Sequence, residues 1–119
     1  MTAPLEREIL SRGLDDIIQL AEIVSVARFS LGIREGPDLF AAVANCMRAL
    51  VGEGLAVVGD LEDSGSPPLE IRPWPGDVDA VVERAILEWE ELGRGPNLSE
   101  ICWLELTDLG REAARDTAR

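Results

Sequence analysis

Between Ile17 and Ala27 the chain places Ile17, Ile18, Leu20, Ala21, Ile23, Val24, Val26 and Ala27, broken only by Gln19, Glu22 and Ser25. A helix that is apolar on most sides lies at the centre of a small domain, or meets a partner as well. The spacing predicts a helix over residues 15–29, capped by Asp15 and polar only along Asp15, Gln19, Glu22 and Ser25. A chain of 119 residues suits one domain built round such a centre, so a single domain over residues 1–119 is expected. The apolar fraction of 46% is enough to fill a core and excludes a disordered acidic tail.

Glycine, proline and periodicity set the remaining elements. Residues 5–11 read as a short helix with Pro4 near its start, interrupted by Gly13. Pro37 opens a helix over residues 37–52, because its fixed φ suits the first helical position. Leu39, Phe40, Val43, Met47, Leu50 and Val51 repeat at helical spacing and predict its inner face. Ala41, Ala42, Asn45, Arg48 and Ala49 predict the outer one. Gly52 or Gly54 ends this helix, and residues 55–61 predict a strand. Residues 62–76, with Gly65, Pro67, Pro68, Pro73, Pro75 and Gly76, predict a loop. Asp77 caps a fourth helix. Its apolar stripe is Val78, Val81, Val82, Ala85, Ile86, Trp89 and Leu92, and its polar face is Glu83, Arg84, Glu88, Glu90 and Glu91. Gly93, Gly95 and Pro96 stop it; a second strand over 101–106 and a short amphipathic helix over 107–118 follow. The fold class expected is α+β, mostly helical.

Charge is distributed unevenly over this frame. Residues 1–52 carry a net charge of −2, residues 53–108 carry −11, and the last eleven carry +1. An acidic half repels nucleic acid and anionic membrane surfaces and attracts basic partners. The chain has no His, Lys or Tyr. Nucleophilic catalysis needs an activated Ser, Cys or Thr beside a base, so an enzyme is not expected. Acid–base pairs of carboxylates carry no signal without geometry in so acidic a chain. Cys46 and Cys102 stand apart among apolar neighbours, which predicts buried structural thiols and no disulfide framework or zinc site. Asp60, Glu62, Ser64 and Gly65 take the first places of a calcium loop, but its twelfth place is Ile71 and Pro67 and Pro68 intrude. Gly52-Glu53-Gly54 follows a helix and has no third glycine in place, so it reads as a helix stop and not a phosphate cradle. No cofactor or metal is expected. Residues 1–10 lack the pattern of a signal peptide, and no apolar run has the length of a membrane span. A cytoplasmic protein with no membrane partner is the expectation.

The stretch Leu50-Val51-Gly52-Glu53-Gly54-Leu55-Ala56-Val57 resembles the end of a recognition helix turning into the first wing strand of a winged-helix domain. Trp103-Leu104-Glu105-Leu106-Thr107-Asp108-Leu109-Gly110-Arg111-Glu112-Ala113 resembles the returning strand with its "LT-x-x-G" before a closing helix. Together they cover about half of the chain. The resemblance implies a winged-helix-like fold with a helical insertion, at about residues 62–99, between the two wing strands. The family would read DNA from the helix over 37–52, here with Asn45 and Arg48, with Arg34 in the connector before it and Arg111 and Arg115 as further candidates. One arginine on that helix is too little for phosphate contacts, and the insertion holds most of the acid. The segment from Ile86-Leu87-Glu88-Trp89 to Ile101-Cys102-Trp103 also resembles small actinobacterial proteins associated with toxin systems.

The function expected is that of a non-enzymatic acidic protein-binding module, an immunity or antitoxin-like inhibitor that covers a basic toxin surface. Its candidate contact residues are Glu62, Asp63, Asp79, Glu83, Glu88, Glu90 and Glu91 for steering, with Trp74 as an anchor if it is exposed. The alternative is a winged-helix DNA-binding transcriptional regulator. The apolar segment over 15–29 leaves a homodimer open in either case.

Overall fold

Ile18 and Gln19, expected inside a helix, instead form the first strand of the sheet. The computed structural model describes residues 3–62 and 70–117. Among these the elements are α1 (Pro4–Gly13), β1 (Ile18–Gln19), α2 (Leu20–Ser25), α3 (Pro37–Gly52), β2 (Ala56–Glu62), β3 (Glu70–Pro73), α4 (Val78–Leu92), β4 (Trp103–Leu106) and α5 (Asp108–Thr117). A π-helical turn, Val26–Ser30, continues α2. The chain is an α+β fold with one antiparallel sheet in the order β1-β4-β2-β3.

The helix expected over residues 15–29 is therefore corrected in three ways. Asp15 does not cap it; the cap position is Gln19, in extended conformation and without a side-chain bond. Ile18 pairs with Leu104 and Gln19 with Trp103. The Leu20 amide then donates to the Cys102 carbonyl at 3.2 Å, so β4 replaces the missing first turn. Past Val26 the hydrogen bonds lengthen to the π pattern, with the Leu31 amide donating to Val26. Sheet pairing here outweighs a local preference for helix worth only tenths of a kcal/mol per residue, roughly 0.7 at most for ordinary side chains. The segment is nonetheless the buried centre that its composition demands: Ile18, Leu20, Ile23, Val26 and Ala27 all lie in the core.

Strands β2 and β4, separated in sequence by β3 and α4, pair directly. Ala56, Val57, Val58 and Gly59 face Leu106, Glu105, Leu104 and Trp103. Burial alternates along β4, with Leu104 and Leu106 inside, as a half-buried strand requires. Thr107 ties the end of β4 to the start of β2. Its amide donates to the Leu55 carbonyl, and its hydroxyl donates to Gly54 and accepts from the Gly110 amide at the start of α5.

The loop expected over 62–76 contains a strand. Glu70 to Pro73 pair with β2 in the register Gly59↔Pro73 to Glu62↔Glu70. Proline is tolerated at an edge, which is why composition concealed β3. A Cβ at Gly59 would collide with the Arg72 carbonyl, so only glycine permits this close pairing. The helix α4 starts as expected: Asp77 accepts from the Ala80 amide at 2.9 Å, and Gly93, at φ 68°, ends it in the left-handed region. No described helix is long and apolar enough to cross a membrane.

Candidate docking surface

Helix α4 packs along α3. Phe40 of α3 and Trp89 of α4 meet with ring centroids 4.2 Å apart, and Arg48 donates to Asp79 at 3.2 Å farther along. The contact follows from spacing. Phe40, Ala44 and Arg48 recur every four residues on α3, beside the inner face formed by Leu39, Val43, Cys46, Met47 and Leu50. The outward edge of the seam is a groove of about 450 Å³, lined by Phe40, Ala41, Ala44 and Arg48 from α3 and by Glu83, Ile86, Leu87 and Glu90 from α4. Leu87 is 56% exposed. Exposed leucines are ordinary when single, but this one sits in a groove between two carboxylates. Glu83 and Glu90 have no ion-pair partner among the described residues, whereas Asp79, Glu88 and Glu100 each hold an arginine.

The acidic residues of α4 divide between two faces. Asp79, Glu83 and Glu90 lie four and seven residues apart and share the stripe beside α3. Glu88 and Glu91 lie on the other side, where they border Leu92, Glu100 and Ile101. The single acidic face expected from composition is thus two faces, and only one borders the groove. Glu88 is further neutralised by Arg84 at 2.8 Å.

Trp74 does not anchor a partner from an exposed position. It is 6% exposed, its amide donates to Val58, and the Arg84 guanidinium lies 3.7 Å from its ring centroid. Between Pro73 and Pro75 its ring packs into the core. Asp63 lies outside the described residues, as do Ser64, Gly65, Pro67 and Pro68. Glu62 ends β2, and its side chain also lies outside them.

Of the residues considered for DNA, Arg34 and Asn45 are exposed and Arg48 is exposed but tied to Asp79. Glu83 stands beside Arg48 in the same groove. The outer face of α3 is therefore flanked by carboxylates of α4.

At one end the groove runs into a cleft of about 430 Å³, with Phe40 and Glu90 common to both. Val24, Leu39, Phe40 and Trp89 supply its apolar lining; Arg28, Glu35, Glu90 and Arg94 supply its charge. Arg28, on the π-helical turn, pairs with Glu35 at 2.8 Å. Arg94 makes a two-pronged contact with Glu100, at 2.8 and 3.0 Å. That contact, with the Asn97 amide, holds the Glu100 carboxyl down at about 2 and raises the Arg94 pKa. The loop that carries them bends sharply: Ser99 and Ile101 have φ of 67° and 70°, a region uncommon outside glycine and rarest for a β-branched residue such as Ile101.

Cys46 and Cys102 are buried and unpaired. Burial pushes both thiols up to about 12, so neither offers a thiolate at neutral pH. Among the described residues no group of three or more His, Cys, Asp or Glu is placed to hold a metal ion.

Sequence reasoning missed Leu87, Ala44, Arg28 and Arg94. Leu87 had a signal: it falls on the polar side of α4, four residues after Glu83 and three before Glu90. Arg28 and Arg94 had none, because their cleft forms between elements distant in sequence. No protein-family model matches the chain, and no match was found among curated proteins or solved structures.

Proposed function

We propose that this chain is a non-catalytic protein-binding domain that receives a basic, amphipathic segment of its partner in the groove between α3 and α4. The observation that carries this reading is Leu87, exposed between Glu83 and Glu90, two carboxylates without a cation among the described residues. An apolar side chain of the partner would cover Leu87 and Ala41, and its flanking Arg or Lys would meet the carboxylates. Acidic steering suits a fast encounter, and a few desolvated contacts would hold the complex. An immunity or antitoxin-like inhibitor of a basic toxin surface is the sharper form of the same proposal.

The fold is best read as winged-helix-like. In support, α3 leads into β2, β4 returns beside it, and α5 closes behind Thr107, with β3 and α4 inserted between the wing strands. That order also favours the second reading, a DNA-binding regulator using Arg34, Asn45 and Arg48. Charge opposes it, since the insertion sets Asp79 and Glu83 beside Arg48.

A photo-crosslinking residue at Leu87, with Leu109 as control, separates the two readings in the producing cell. Docking predicts a protein captured at 87 and not at 109, which then binds the purified chain and loses affinity on Leu87→Asp. Capture of nothing at 87, together with a gel shift that survives moderate salt and is lost in Arg48→Ala, would replace this reading with the DNA one.

A further inference from the structure

We propose that the cleft at the C-terminal end of α4 is the receptor for one Arg or Lys side chain of the partner. The assignment rests on the docking reading and names what enters the cleft. Three features select a cation. First, the two arginines of the cleft are already answered, Arg28 by Glu35 and Arg94 by Glu100, whereas Glu90 has no cation among the described residues. With Glu100 counted behind Arg94, three carboxylates meet two arginines, and the residual charge is negative. Second, the cleft opens at Gly93 and Gly95, where α4 ends. A helix C-terminus carries partial negative charge, and the last turn of α4 holds no basic residue of its own. The opposite wall is the N-terminal end of α3, whose positive character Asp38 offsets in the first turn. Third, Phe40 and Trp89 line the cleft with Leu39 and Val24. Aromatic and aliphatic walls suit the alkyl stem of a long basic side chain, whose head then reaches a carboxylate at the rim. Because Phe40 and Glu90 belong to both hollows, a segment lying in the groove would deliver its side chain into the cleft without a turn.

The probe is Nα-acetyl-arginine methylamide, titrated into isotope-labelled protein and followed by NMR at the Gly93 and Gly95 amides and the tryptophan indoles. The glutamate analogue is the anionic control. Arginine should give saturable shifts at Gly93 and Gly95. Its binding should weaken about fivefold in Glu90→Gln and stay within about twofold in Glu91→Gln, which removes the same charge from the far face. No shift with arginine, equal weakening in the two variants, or shifts with the glutamate analogue in its place would each overturn the assignment. The docking reading fails separately: a partner that ignores Leu87→Asp removes it whatever the arginine titration shows.

Discussion

Phe40 and Trp89 pack with their rings tilted by 48° and their centroids 4.2 Å apart, joining α4 to α3. Trp89 is buried and Phe40 half-buried, so the pair sets both the groove and the cleft beside it. Trp89→Ala should lower stability by about 3–5 kcal/mol, the usual cost of emptying a large aromatic site. Combined with Phe40→Ala in a double-mutant cycle, the pair should show about 0.5–1.5 kcal/mol of coupling. Equilibrium urea unfolding measures both. Additive losses would mean that the rings do not hold α4 in place.

Gly110 sits where α5 passes the Leu55 carbonyl, and a Cβ there would collide with that oxygen. The same carbonyl accepts from the Thr107 amide, so it cannot move away without breaking the bond that ties β4 to β2. Gly110→Ala should cost about 1–3 kcal/mol through overpacking. Gly95→Ala, facing open space, should stay within about 0.5 kcal/mol of the parent. Thermal unfolding of the two variants distinguishes them, and equal midpoints would contradict this account of Gly110.

Those two cases show what was legible in the sequence. The "LT-x-x-G" stretch carries its own physics, since the threonine caps α5 and the glycine lets α5 approach. The bounds of α3 and α4 were equally plain, because Pro37, Asp77 and Gly93 act locally. What stayed hidden depends on partners far along the chain. Ile18 and Gln19 become a strand only because β4 arrives 85 positions later. Arg72 and Pro73 become one only because Gly59 leaves room. The acidic face divided for a related reason: composition counts carboxylates, while helical phase decides that Glu83 and Glu90 border α3 and Glu91 does not.

Glu100 should titrate far below an ordinary glutamate. Arg94 grips both of its oxygens and the Asn97 amide donates to it, so its pKa lies at about 2 when folded, against about 4.3 when unfolded. A depressed folded pKa adds stability above the unfolded value, and that contribution fades as pH falls from about 4.3 toward 2. A carboxyl-detected NMR titration should place its midpoint near 2, and Arg94→Gln should move it upward. A normal midpoint in the parent protein would show that the loop clamp is open in solution.

Neither cysteine should react while the protein is folded. With both thiols buried and raised to about 12, labelling by an aromatic disulfide reagent at pH 8 should proceed only as fast as the chain opens. Adding urea should accelerate it in step with unfolding. Rapid stoichiometric labelling of the native protein would contradict their burial.

The most direct test of the docking account is the association rate of the partner captured at Leu87, measured by stopped flow at several salt concentrations. Two double variants change the net charge equally, Glu83→Gln with Glu90→Gln beside the groove and Glu88→Gln with Glu91→Gln on the far face. Docking between α3 and α4 predicts that the first pair slows association about tenfold at low salt and flattens its salt dependence. The second pair should change the rate less than about twofold, because local and not global charge steers the encounter. Equal slowing by both pairs, or by neither, would contradict the claim that this groove receives the partner.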